Sequence, residues 1–141
     1  MLRKERGITL VALVITIIVL LILAGVTLAM ISGQDGILTK AVNAKKDNEL
    51  GAAKDEVALE VNELIAQYYE DRYVTNLTGT GDSVGSYVRT KFNMTATTNG
   101  VTVDKSKTAA SGVVKLTYDG KSIQATIDGT TGVIGSWTDA T

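Results

Sequence analysis

The chain contains no cysteine, no histidine and no proline. Without cysteine no disulfide can support a small domain, so any folded part must hold itself together by packing, whatever its redox compartment. The joint absence of cysteine and histidine removes thiolate nucleophiles, imidazole bases and the usual zinc ligands. Little catalytic chemistry remains, and the chain is expected not to be an enzyme. Residues 8–31 also lack charge, and their most polar side chain is threonine.

Charge is nearly balanced, with a formal net value of -1 over 141 residues. Arg3, Lys4 and Arg6 against Glu5 make the first seven residues basic, which leaves the remainder mildly acidic. Direct nucleic-acid binding is therefore not indicated. Basic residues beside an apolar span stay cytoplasmic and direct the C-terminal side of the span outward.

The run from Ile8 to Ile31 reads ITLVALVITIIVLLILAGVTLAMI. As a helix at about 1.5 Å per residue it reaches about 36 Å, enough to cross a hydrocarbon core of about 30 Å with some tilt. Thr9, Thr16 and Thr27 need not break it, because a threonine hydroxyl can bond back to the preceding turn. A cleaved secretory signal would have a shorter apolar core followed by small residues.

Two glycines, Gly33 and Gly36, come next, within Ser32–Gly36. Each weakens a helix by about 1 kcal/mol relative to alanine. A full break and a soft point in a continuous rod are both open; the soft point is favoured because helical periodicity resumes at once. From Ile37 to Tyr73 the pattern is amphipathic, with Leu50, Ala53, Val57, Val61, Leu64 and Tyr68 at spacings of three and four. Lys45, Lys46, Glu49, Asp55, Glu56, Glu60, Glu63 and Glu70 fall mostly outside this stripe and read as a solvated face, with Lys46–Glu49 or Lys54–Glu60 as surface pairs. A rod of both halves would run about 95–100 Å. The small remainder of the chain cannot bury that length, so it must meet lipid or other copies of itself.

Residues 75–85 are loop by composition. Asp82 is the expected N-cap of a short helix over 83–92, with Val84, Tyr87, Val88 and Phe92 on one side. Asn99-Gly100 signals a turn before a short strand at Val101 and Val103. Asp119-Gly120 between two apolar runs predicts a hairpin, and Asp128–Gly132 predicts a second turn. The result is a three-stranded meander over about 113–118, 121–127 and 132–137, covered by the stripe of the second helix. Trp137 is expected in the core at the sheet end. The fold class is α+β: a long N-terminal helix packed on a small C-terminal antiparallel sheet.

No cofactor or metal site is expected. Gly33–Gly36 lacks the spacing and lysine of a phosphate loop. Asp55-Glu56 and Glu70-Asp71 are sequence neighbours that diverge on a helix. Asp119 and Asp128 suit turns for backbone reasons, and no EF-hand-like run of acidic residues exists. Asn76-Leu-Thr78 and Asn93-Met-Thr95 match the glycosylation acceptor pattern, which matters only in a eukaryotic secretory pathway. One positive feature is a ridge of small residues, Gly25, Ala29 and Gly33, which permits close helix–helix approach.

Arg3-Lys4-Glu5-Arg6-Gly7 followed by Ile8-Thr9-Leu10-Val11 resembles the N-terminus of type IV prepilins and of the pseudopilins of type II secretion and competence systems, especially their Gram-positive members. The specific likeness covers about the first 35 residues, while the architecture of the whole chain agrees. The resemblance implies cleavage between Gly7 and Ile8 by a prepilin peptidase, methylation of Ile8, and no catalytic role. Assembly would run through Thr9, Leu10, Ala12, Gly25, Ala29 and Gly33, with Gly33 and Gly36 as a helix soft point that partly melts in the filament. Its implied divisions are a cytoplasmic leader at 1–7, a transmembrane and assembly helix at 8–31, an amphipathic continuation at 32–73 and a small globular domain at 74–141. The implied partners are other pilin-like subunits, the peptidase, an assembly platform and motor, and the lipid bilayer before assembly. The implied location is the cytoplasmic membrane, single-pass with the C-terminus outside, then an extracellular or wall-spanning filament.

The chain departs from that family in two ways. Ala12 stands where the family usually has a glutamate that pairs with a neighbour's N-terminal amine and sets register. Proline, which kinks the apolar helix of many major pilins, is absent; with no cysteine, the chain also lacks the disulfide-bounded loop of many Gram-negative pilins. The alternative expectation is a signal-anchored, single-pass surface binding protein that does not polymerise.

Overall fold

The computed structural model describes residues 2–73 and 83–140, residues 2–6 by backbone alone. Among the described residues the chain is α+β: two long helices over Leu2–Ser32 and Ile37–Tyr73, a shorter helix, and a four-stranded antiparallel sheet with one helical turn between its first two strands. It divides into two compact units between Ala44 and Lys45. The expected Asp82 cap and the Asn76 acceptor lie outside the described residues.

The first unit is helix α1, Leu2–Ser32, and the start of α2, Ile37–Tyr73. α1 has no proline inside, and Thr16 and Thr27 bond back to their own helix rather than away from it. Thr16 Oγ1 donates to the Leu13 carbonyl at 2.7 Å, and Thr27 Oγ1 to those of Leu23 and Ala24 at 2.9 and 3.0 Å. Residues 33–36 are turn and bend rather than helix. Gly36 N–H reaches only the Gly33 carbonyl, at 2.8 Å, and Thr39 Oγ1 donates to that same carbonyl at 3.0 Å. The soft point is thus a local interruption with its own hydrogen bonds. It needs glycine by close approach: a Cβ on Gly36 would lie 2.5 Å from the Ile31 carbonyl oxygen.

The second unit takes in α2 from Lys45 onward. Leu50, Ala53, Val57, Val61 and Leu64 are buried as one stripe, and Tyr68 is half-buried at its end. The opposing sheet runs β1 (Thr102–Asp104), β2 (Val113–Tyr118), β3 (Lys121–Thr126) and β4 (Thr138–Asp139) in that spatial order. Register places Val103, Leu116 and Ile123 side by side, and with Val114, Ala125 and Ile127 they form the sheet's buried face. The β2–β3 turn has Asp119 at φ 45° and Gly120 at φ 80°, the two positive values that a type I′ turn requires.

Helix α3, Val84–Lys91, is capped by Ser83, whose Oγ accepts from the Ser86 N–H. It seats Val88 and the following Phe92 in the core. Gly85 lets its backbone meet the 128–132 turn: a Cβ there would lie 2.2 Å from the Asp128 carbonyl oxygen. Arg89 Nε donates to the Ile127 carbonyl at 2.8 Å from the same helix.

The expected strand over 132–137 is not there. Ile134 makes a single bridge to Ile127, and a ladder resumes only where Gln124 pairs with Thr138 and Ile123 with Asp139. Four steps along one strand, from Ile127 to Ile123, match five along the other, from Ile134 to Asp139. One extra residue bulges the edge, which re-aims side chains beside it. Trp137 lies at that offset and packs against the core cluster. The one-turn helix α4, Thr108–Ser111, has no counterpart among the expected elements. It is too short for periodicity to register, and Thr108 anchors it by donating from Oγ1 to the Val113 carbonyl at 3.0 Å.

Candidate functional site

The residues expected to carry function lie in the first unit, on α1 and, for Gly33 and Gly36, in the interruption that follows it. The apolar side chains of α1 are exposed all round: Ile8, Leu10, Leu13, Ile18, Leu20, Leu23 and Leu28 are among them, and Leu20 is 64% exposed. A window of this helix is long and apolar enough to cross a membrane, and none of it is buried in the structure. A helix apolar on every side belongs in a core or in lipid. The N-terminal helix therefore qualifies as a membrane anchor by length and composition.

The glycines of the chain differ in what their surroundings require. A Cβ on Gly7 or on Gly25 would meet nothing within 4 Å, and neither has a positive φ. Their helix would be more stable with alanine, by about 1 kcal/mol each. Gly33 and Gly36 are different, since Cβ atoms there would lie 2.9 Å from the Ala29 oxygen and 2.5 Å from the Ile31 oxygen. Local backbone geometry thus accounts for Gly33 and Gly36 but not for Gly7 and Gly25. The Gly7–Ile8 bond lies within α1, so a protease acting there must first unwind that turn, which Gly7 eases. Thr9, Leu10, Ala12, Gly25 and Ala29 lie on the same exposed helix.

Several charges expected on a solvated face instead tie α2 to the rest of the sheet unit. Lys46 Nζ pairs with the Asp119 carboxylate at 2.9 Å and donates to the Asp119 carbonyl at 3.0 Å. Lys121 pairs with Asp47 at 2.5 Å; that bond holds the Lys121 ammonium above its ordinary pKa, with the Asp47 charge adding to it. On the other flank Glu56 accepts from the Thr98 N–H at 2.8 Å and from its hydroxyl. Asn99 Nδ2 donates to the Glu49 carbonyl and carboxylate, each at 2.8 Å. The expected Lys46–Glu49 and Lys54–Glu60 pairs do not form. A signal was present: Glu49 and Glu56 sit seven apart, each directly before a buried stripe residue.

Two carboxylates fasten turns. Asp128 Oδ1 accepts from the Thr131 N–H at 2.7 Å and the Thr130 N–H at 2.9 Å, which lowers its pKa. Asp104 does the same for the Ser106 N–H at 2.9 Å, with the same effect. Among the described residues, no three aspartates or glutamates gather as a metal ion would require.

The ends of α2 and α3 bring four tyrosines together. Tyr68 meets Tyr69 and Tyr87 edge-on at 5.4 and 5.5 Å, and Tyr69 stacks on Tyr73 at 6.1 Å. Arg72 lies over the Tyr68 ring and Lys91 over that of Tyr87. Tyr87 donates its hydroxyl to Asp71 Oδ2 at 2.9 Å; burial, then that bond, raises its pKa. Tyr68, Tyr69 and Tyr73 share the end of α2 by their spacing, but no local pattern brings Tyr87 to them, because that contact needs α3 folded back beside α2. No protein-family model matches this chain, and neither a curated protein nor a solved structure matches it significantly.

Proposed function

We propose that this chain is a non-enzymatic structural subunit of a type IV pilus-like or pseudopilus filament. Prepilin peptidase cuts it between Gly7 and Ile8 on the cytoplasmic side and methylates Ile8. The subunit then waits in the cytoplasmic membrane, single-pass with its sheet unit outside. A platform and motor draw it into a filament with other pilin-like subunits. One observation carries this reading: from Ile8 to Ile31 α1 is apolar on every side and exposed, so that stretch requires lipid or other helices as its surroundings.

The glycines support the same reading. Gly7 and Gly25 answer no steric demand within the chain. They suit contacts made with something else, Gly7 with a peptidase and Gly25, next to Ala29 on the ridge, with a neighbouring helix. Ala12 leaves the register of assembly to shape, because it offers no carboxylate to a neighbour's amine. That same residue favours the second reading, a signal-anchored surface protein that stays single.

The deciding measurement is the mass of the mature N-terminus in a host with an active prepilin peptidase. The filament reading expects a chain that begins at methylated Ile8. A chain that keeps its first seven residues overturns it. Gly7→Leu is expected to remain uncut and unassembled while its sheet unit melts as before, since nothing surrounds Gly7. Normal filaments from that variant overturn the cleavage assignment.

A further inference from the structure

A groove of about 500 Å³ opens between α2 and the β3–β4 edge of the second unit. That volume lies within the range of small-ligand sites. Its apolar lining is Leu50, Ile123 and Trp137. Trp137, the chain's single tryptophan, is placed there by the bulge that offsets the edge strand. It packs on the core yet stays half-exposed, and its indole N–H is neither buried without a partner nor bonded to any described residue.

The polar groups of the groove are unequally engaged. Lys121 is held by Asp47 at 2.5 Å, and Asp139 lies close enough to add its field. Lys54, on the helix side, has no hydrogen-bond or ion-pair partner among the described residues. The groove thus holds two ammonium groups and two carboxylates, with one ammonium and one indole N–H unspent. A dianionic phosphate would face two carboxylates with only one uncommitted cation to receive it. A single carboxylate matches one ammonium. Hydroxyl groups match the acceptor oxygens of the rim, and a ring with a C–H face matches the indole.

We propose that this groove binds a carboxylate-bearing sugar residue of a glycan. Lys54 receives the sugar carboxylate, Trp137 lies against the ring and donates its N–H, and Asp139 accepts ring hydroxyls. The proposal is independent of whether the chain polymerises, since every residue it uses lies in the second unit.

Because the chain has one tryptophan, its emission reports this site alone. The test titrates the full chain, in a neutral polyoxyethylene detergent, with oligogalacturonate and with sialyllactose, followed by tryptophan emission and calorimetry. A saturable response to at least one acidic sugar is expected. Neutral cello-oligosaccharide is expected to bind more weakly, and inorganic phosphate not to compete. Lys54→Met should weaken the acidic sugar by about tenfold, as loss of a charge-assisted contact does. Lys107→Met, on another face, should leave it unchanged. Lys54 anchors nothing in the fold, so an unchanged melting curve for Lys54→Met separates lost binding from lost structure. The proposal is overturned if neither acidic sugar responds, if the neutral sugar binds as well, if phosphate competes, or if Lys54→Met binds as tightly as the parent.

Discussion

The two units treat apolar side chains in opposite ways. In the sheet unit Val57, Val88, Val101, Val114, Leu116 and Ile127 are 0% exposed. In the N-terminal unit residues of the same kinds run for many turns with nothing over them, Ile18 at 49% and Leu20 at 64%. The same chemistry therefore stabilises one unit from within and leaves the other dependent on its surroundings. The polar groups divide in the same way. In the sheet unit Glu49, Glu56, Lys46 and Asp47 tie elements far apart in sequence, whereas on α1 the Thr16, Thr27 and Ser32 hydroxyls bond back to their own helix.

Substitutions at matched positions should break this comparison cleanly. Leu116→Ala removes a fully buried side chain between β1 and β3 and is expected to cost about 2–5 kcal/mol. Chemical denaturation followed by Trp137 emission measures this, and a loss under about 1 kcal/mol would mean the core is not centred on Leu116. Ile18→Asp should do the reverse. It leaves the sheet unit's unfolding midpoint where it was but opposes membrane insertion by about 2.5–3.5 kcal/mol. Partition into vesicles, or glycosylation-based insertion mapping, reads that effect. A shift of the sheet unit's midpoint with unchanged insertion would reverse the roles assigned to the two units.

A smaller effect is expected where the helix is interrupted. Gly36→Ala places a Cβ against the Ile31 carbonyl in the present turn, whereas an uninterrupted helix has room for it. The variant should run helical through residues 33–36, favoured by about 1 kcal/mol relative to glycine. Amide exchange at Gln34, Asp35 and Ile37 should slow, and helical ellipticity in the far ultraviolet should rise. Unchanged exchange would show that the turn persists without glycine.

The legible parts of the fold are those with a period or a turn signature. The stripe from Leu50 to Leu64 and the Asp119-Gly120 hairpin declare themselves because helix and strand repeat at known spacing and a type I′ turn demands particular residues. The edge strand escapes such a reading because a one-residue bulge leaves no trace in the pattern of Val133, Ile134 and Trp137. α3 is capped by Ser83; the expected cap, Asp82, stands one residue earlier and lies outside the described residues. The roles of Glu49 and Glu56 depend on where the 97–99 turn arrives, which local sequence does not encode. At the candidate site the exposure of α1 follows directly from composition. That Gly36 is fixed by its own backbone, and Gly25 is not, required coordinates.

The smallest effect is electrostatic, and it sharpens the contrast because its groups lie in the sheet unit. Asp128 is lowered in pKa by the Thr131 and Thr130 amides, and Asp104 by Ser106. Each therefore binds its proton less readily folded than unfolded. Their contribution is present above the unfolded value of about 3.9 and is lost as pH falls through the folded values below it. Lys121 is raised by its bond to Asp47, so its contribution is complete below the unfolded value of about 10.4 and disappears as pH rises through the folded one. The sheet unit should hold a plateau of stability from about pH 4 to about pH 10 with these shoulders. Asp128→Asn should reduce the acid shoulder and leave the share of Asp104, and Lys121→Met should reduce the alkaline one and leave the share of Tyr87, whose pKa is also raised. Denaturant midpoints for the three proteins at about pH 3, 7 and 11 test this. If both variants track the parent at every pH, the Asp128 turn and the Lys121–Asp47 pair do not couple protonation to folding, and the shoulders arise elsewhere in the chain.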